Sequence, residues 1–170
     1  MKELFVIRHA KAAWFETDCS DFERPLDAHG MQESLEMGSR LHAKGIVPDL
    51  IYASAAKRAR TTAEQLAGVL CYPSERIVLQ KEIYTAGRSE LLKLISSSPE
   101  QINRCFLVGH NPVITELAEW LTETSFGLLP TCAVVGITLV VDTWRNIFFG
   151  AGKVSLYDYP QKLSQKDSKR

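Results

Sequence analysis

Leu4-Phe5-Val6-Ile7-Arg8-His9-Ala10-Lys11 is the stretch that decides the reading of this chain. Four apolar residues stop abruptly at an arginine and a histidine. A short, continuous run rich in β-formers reads as a strand buried on both faces. In an open α/β sheet the carboxyl ends of the strands face the ligand crevice. The strand should therefore deliver Arg8 and His9 to the mouth of a cleft. Cys105-Phe106-Leu107-Val108-Gly109-His110-Asn111-Pro112 repeats the arrangement, with a second histidine at its exit.

Working outward, strands alternate with helical patterns. Asp27 is a good N-cap for a helix whose stripe is Met31, Leu35, Gly38 and Leu41, and Gly45 ends it. Residues 46–53 read as a second strand. Ser54 then caps a helix carrying Ala59, Ala63, Leu66, Ala67 and Leu70. A short strand is expected over 76–79, a helix over 89–97, and a helix behind Pro112. Residues 134–141 and 146–149 read as a hairpin turning at Asp142-Thr143. The fold class that follows is α/β: a three-layer sandwich with a mostly parallel central sheet, helices on both faces and antiparallel edge strands at the C-terminus. Residues 1–158 are expected to form a single domain, and 159–170, polar and without a stripe, a loose C-terminal tail.

Composition narrows the function. Lys+Arg and Asp+Glu balance at 20 each over 170 residues, so no basic face for nucleic acid or an anionic membrane is implied. No apolar run approaches a membrane span, and the N-terminus lacks a signal-peptide pattern. A cytoplasmic protein is expected. Cys19, Cys71, Cys105 and Cys132 show no CxxC spacing, and the four histidines have no metal-ligand spacing. Cys19 and Arg24 fall one residue short of a Cys-x5-Arg phosphatase loop. Nucleotide-cradling and serine-hydrolase signatures are absent. Neither a metal nor a cofactor is expected.

What remains is Arg8 and His9 at one strand exit, Arg58 one turn into the second helix, and His110 at the later exit. If the sheet joins these exits, two arginines and two histidines converge on one point. That suits a phosphoryl group: guanidinium forks bind its oxygens bidentately, and phosphoryl transfer needs fixed charge and positioning.

The motifs resemble those of the histidine phosphatase superfamily, the phosphoglycerate-mutase-like proteins, and more narrowly SixA-type phosphohistidine phosphatases. The blocks are Arg8-His9-Ala10-Lys11, Asp21-Phe22-Glu23-Arg24-Pro25-Leu26, Ser54-x3-Arg58-Ala59-x2-Thr62, Val108-Gly109-His110-Asn111-Pro112 and Leu129-Pro130-Thr131. The resemblance implies that His9 is a nucleophile forming a covalent phosphohistidine, with Arg8, Arg58 and His110 holding the phosphate oxygens. Ala10 replaces the superfamily's glycine. Larger members carry a glutamate acid on an insertion roofing the site, for which this chain has little room. Glu82 is the one acid in a comparable place and stands as a candidate general acid. Arg24 ties its loop to Asp21 or touches phosphate. Trp14, Phe15 and Phe22 anchor that loop or line the cleft entrance.

The expectation is a phosphatase of the phosphoric monoester hydrolase type, acting on a protein phosphohistidine partner. A phosphohistidine leaving group needs less acid help than an alcohol. The alternatives are a small-molecule phosphomonoesterase using the same site, or a phosphoprotein-binding module without turnover. Oligomeric state is not legible.

Overall fold

The computed structural model describes residues 1–14 and 18–162. Six strands form one sheet in the order β3-β2-β4-β1-β5-β6: β1 (Lys2–Arg8), β2 (Leu50–Ser54), β3 (Val78–Gln80), β4 (Arg104–Gly109), β5 (Val134–Leu139) and β6 (Gly152–Asp158). The first four in that order run parallel, and β5 and β6 are antiparallel additions at one edge. Among the described residues the α-helices are α1 (Ala28–Ala43), α2 (Lys57–Val69), α3 (Arg88–Ser96) and α4 (Val113–Thr122). The expected fold class holds.

Strand alternation splits β1 between two cores. Phe5 and Ile7 pack with Met37 and Leu41 of α1 and Ala59, Ala63 and Leu66 of α2. Leu4 and Val6 pack with Leu91 and Ile95 of α3 and Ile114, Leu117 and Leu121 of α4. Every apolar residue of β1 and β4 is thus buried, because helices cover both sheet faces. Burying each such side chain stabilises the fold by roughly 1.5–3 kcal/mol before conformational entropy is charged against it.

Local chemistry sets the helix ends. Asp27 accepts a hydrogen bond from the Gly30 amide at 2.7 Å, the expected N-cap of α1. Beyond α1, Gly45 takes the left-handed φ of +68° that ends helices cheaply. Gly30 is needed for another reason: a Cβ there would lie 2.1 Å from the Lys11 carbonyl oxygen. Helix α1 can press against the exit of β1 only because that position has no side chain.

Several expectations are corrected. The buried face of α1 is Gly30, Glu33, Ser34, Met37, Gly38 and Leu41, while Leu35 is 46% exposed. At the contact with α2, a Cβ on Gly38 would lie 3.0 Å from the Val69 Cβ, so the glycine lets the two helices approach. Residues 46–49 connect to β2 and do not belong to it. The strand partner of β5 is β6 at 152–158, not 146–149. Residues 144–146 form a 3-10 turn, and Phe148 and Phe149 are exposed. Edge strand β6 is solvated on one face, so Gly-Lys-Val-Ser-Leu-Tyr-Asp carries only a weak apolar signal. Ser54 is the last residue of β2 and not the N-cap of α2, which is Ala56. The tail expected from 159 is anchored at its start: Arg40 donates to the carbonyls of Tyr159 and Pro160, and Gln161 to Glu33. The rest of that tail, 163–170, lies outside the described residues, as does Phe15.

Candidate active site

The register aligns the strand exits. Arg8 of β1 pairs with Gly109 of β4, and Ala53 of β2 with Val108, so Ser54 ends level with Gly109. The chain leaves β1 toward the α1/α2 face and leaves β4 into α4 on the opposite face. Such a reversal between adjacent strands opens a crevice at their carboxyl ends.

His9 and His110 meet there, ring centroids 5.2 Å apart at 52°. The His9 amide bonds to the Gly109 carbonyl and its own carbonyl to the Cys132 amide, so its backbone is fixed from both sides. The next residue is fixed too: the Ala10 amide donates to Thr62 Oγ1, which donates to the Arg58 carbonyl. His9 is 8% exposed. Its Nδ1 lies 2.7 Å from the Ala10 carbonyl oxygen. A carbonyl only accepts, so Nδ1 carries the hydrogen and the lone pair sits on Nε2. Burial, and to a lesser degree the charges on Arg58 and Arg8, lower its pKa to about 3, so the ring is neutral near pH 7.

His110 Nε2 lies 2.8 Å from Ser54 Oγ, and its pKa is lowered to about 4 by burial and the nearby Arg58 charge. The Tyr84 ring stacks edge-on against it at 5.5 Å. Arg8 donates through Nη1 to the Leu129 carbonyl at 2.9 Å, which also accepts from Asn111 Nδ2. Arg58, 7% exposed, donates to the Asp21 carbonyl and carboxylate. Among the described residues, two buried side-chain nitrogens have no partner: Arg8 Nε and His110 Nδ1. Both belong to this cluster.

The four predicted residues, Arg8, His9, Arg58 and His110, are therefore neighbours. Of the two roles left open for Arg24, the structure shows the tie to Asp21, while Glu82 stands apart from the cluster. Arg24 is a loop anchor: it bonds Asp21 at 2.8 Å, bonds the Ala13 carbonyl, and lies 4.3 Å over the Trp14 ring. Glu82 is exposed and makes no hydrogen bond or ion pair with the cluster. It sits on the 3-10 turn Lys81–Tyr84, which turns Tyr84 inward instead. Phe22 packs edge-on against Tyr84.

Sequence reasoning missed four supporting residues. Asp21 accepts from Tyr84 Oη, Arg24 and Arg58, which together hold its carboxyl down to about 2. Thr62 stood in a quoted motif without a task, and Ser54 was expected to cap α2, not to meet His110. Glu33, 1% exposed, accepts from the Lys11 amide, Thr131 Oγ1 and Gln161 Nε2, and so binds α1 to the loop behind His9. Glu33 was not singled out because the expected stripe, Met31, Leu35, Gly38 and Leu41, did not include its position. A groove of about 370 Å³ lined by Phe22, Glu23, Ala55, Lys57 and Arg60 runs beside the first turn of α2; none of the four cluster residues lines it.

The arrangement can hold a tetrahedral anion between two guanidiniums while one neutral imidazole nitrogen keeps its lone pair. Among the described residues, no group of His, Cys, Asp and Glu is disposed to hold a metal ion. No described helix is long and apolar enough to cross a membrane.

Residues 4–83 match the family model of the histidine phosphatase superfamily (branch 1). A curated relative, an uncharacterised chloroplast protein of Arabidopsis thaliana, is 26% identical over 160 residues, which are 89% of this chain and 72% of the relative. Among solved structures, a candidate phosphohistidine phosphatase SixA from Nakamurella multipartitia superposes with a TM-score of 0.79 at 21% identity, over 94% of this chain and 96% of that one. The protein histidine phosphatase SixA complexed with tungstate gives 0.77 at 24% identity, over 95% and 99%. At such identities the likeness establishes a shared fold. The chain thus resembles the superfamily in its motifs and in matched sequence, and its SixA-type members in fold.

Proposed function

We propose that this chain is a phosphatase that removes the phosphoryl group of protein phosphohistidine through a covalent intermediate on His9. The observation that carries the reading is the state of His9: Nδ1 is committed to the Ala10 carbonyl, leaving the Nε2 lone pair beside two arginines. The unpartnered Arg8 Nε, a buried donor, supports an anionic occupant. The tungstate bound to the SixA protein of the same fold is a tetrahedral oxyanion and agrees with it.

His9 Nε2 attacks phosphorus; the Nε2–P bond forms as the P–N bond to the substrate histidine breaks, and the departing ring takes a proton from water. A water then attacks phosphorus and gives its proton to the hydroxide left by the first step, the Nε2–P bond breaks, inorganic phosphate leaves, and His9 regains its lone pair. Arg8 and Arg58 neutralise the equatorial oxygens in both steps. Among the described residues, no carboxylic acid stands in the cluster to protonate an alkoxide, since Glu82 lies outside it and the Asp21 carboxyl is ionised. That favours an imidazole leaving group over the alkoxide of a sugar phosphate, which needs such help. We place the reaction in the cytoplasm, consistent with Cys71, Cys105 and Cys132, none of which is in a disulfide.

Rapid quench with a phosphohistidine protein labelled on phosphorus tests the reading. Acid-labile label on His9, formed and lost at the turnover rate, is the expected result. Faster kcat/KM on sugar phosphates would transfer the activity to small molecules. Tight phosphate binding with no label on the protein would make the chain a binding module.

A further inference from the structure

We propose that Ser54 is a positioning residue that holds His110 in the tautomer with its hydrogen on Nδ1, so that His110 offers a donor, not a lone pair, to the bound phosphoryl group. The proposal rests on the reading of the site given above. It comes from counting hydrogens. Ser54 is fully buried, and its Oγ has two partners: the Ala56 amide at 3.2 Å and His110 Nε2 at 2.8 Å. The amide can only donate, so Oγ accepts there and has one hydrogen of its own to place.

Two arrangements exist for the neutral ring. If Nε2 carried the hydrogen, it would donate to Ser54, and the buried hydroxyl hydrogen would have no acceptor. Nδ1 would then keep a buried lone pair with no donor to meet it. If Ser54 donates to Nε2, every polar group of the pair is satisfied except one, the hydrogen on His110 Nδ1. A buried polar group without a partner costs about 1–3 kcal/mol, so the arrangement with one orphan is preferred over that with two. The orphan is also of the useful sign. Nδ1 is buried and unpartnered, as is Arg8 Nε. A phosphoryl oxygen is repelled by a ring lone pair and accepts from a ring N–H.

The position of Ser54 follows from the sheet. It ends β2, level with Gly109, so its hydroxyl reaches the histidine that follows the neighbouring strand. The Tyr84 ring on the other side of His110 restricts the imidazole further.

The test is the two-bond proton–nitrogen spectrum of the histidine rings in the ¹⁵N-labelled full chain at pH 7.5, with His110→Gln to assign the signal. The expected wild-type pattern has a protonated Nδ1 and an unprotonated Nε2. In Ser54→Ala the pattern shifts toward the other tautomer, and inorganic phosphate binds about tenfold more weakly, the scale of one lost hydrogen bond to a charged group. A wild-type His110 protonated on Nε2 overturns the proposal, as does a Ser54→Ala chain with an unchanged tautomer. Neither spectrum depends on turnover. Absence of labelled His9 in the quench experiment would refute the phosphatase reading and leave the tautomer result standing.

Discussion

Asp21 grips Arg58 at two points: its carbonyl accepts from Nη1 at 2.6 Å and its carboxylate from Nη2 at 3.0 Å. The arginine assigned to phosphate is thus already held by an internal anion, which orients the guanidinium and leaves Nε out of those two contacts. Asp21→Ala should lower kcat/KM about tenfold through loss of a charge-assisted hydrogen bond, discounted because the carboxylate is half exposed. Arg58 would gain rotamer freedom, so the inhibition constant for inorganic phosphate should rise in step. Unchanged phosphate inhibition would remove Asp21 from the site.

His9→Ala should reduce turnover by about 10³-fold or more, the scale reached when a covalent nucleophile is removed. Quenched samples should carry no acid-labile phosphate. Wild-type rates in this variant would end the covalent mechanism.

The pH profile should lack a step near 6.5. His9 and His110 are held near 3 and 4, and His9 must be neutral to attack, so kcat/KM should stay level down to about pH 4 and fall below it. Stability follows the same sign. The unfolded rings bind protons below about 6.5, the folded ones only near 4 and 3, so acid favours the unfolded chain across that window. Urea midpoints measured between pH 7 and pH 4 should decline. A kinetic limb at 6.5 would mean the rings are solvated.

Glu33→Gln should destabilise the fold by about 2 kcal/mol in urea titrations. Its buried carboxylate takes three donors, and an amide nitrogen would face at least one of them, leaving that contact unpaired.

Two glycine replacements should have opposite signs. Gly30→Ala drives a Cβ into the Lys11 carbonyl oxygen at 2.1 Å, and backbone cannot give way cheaply. A loss of about 3 kcal/mol or more is expected, at the upper end for overpacking. Gly68→Ala, in the exposed last turn of α2 with nothing within 4 Å, should gain about 0.5–1 kcal/mol. Thermal unfolding of both variants checks the pair.

Much of this was legible along the chain. Leu4 to Ile7 and Cys105 to Val108 announced strands buried on both faces, and Asp27 and Gly45 marked the ends of α1. Arg8, His9 and His110 could be named as candidates because each stands within a residue or two of such a run. Strand and helix patterns are local: a few consecutive residues contain the whole signal.

Contacts between elements carry no such signal. Nothing local to Ser54 says that its hydroxyl meets His110, nor does Glu33 announce that it lies under the His9 loop. The choice of Tyr84 over Glu82 depended on the way one 3-10 turn faces. The partner of β5 was missed because a solvated edge strand is apolar on one side only. The buried strands and the two histidine exits were thus set by the amino-acid pattern. Which side chains meet at those exits, and in which protonation state, was decided by tertiary packing, since register and burial arise only when distant segments share one sheet.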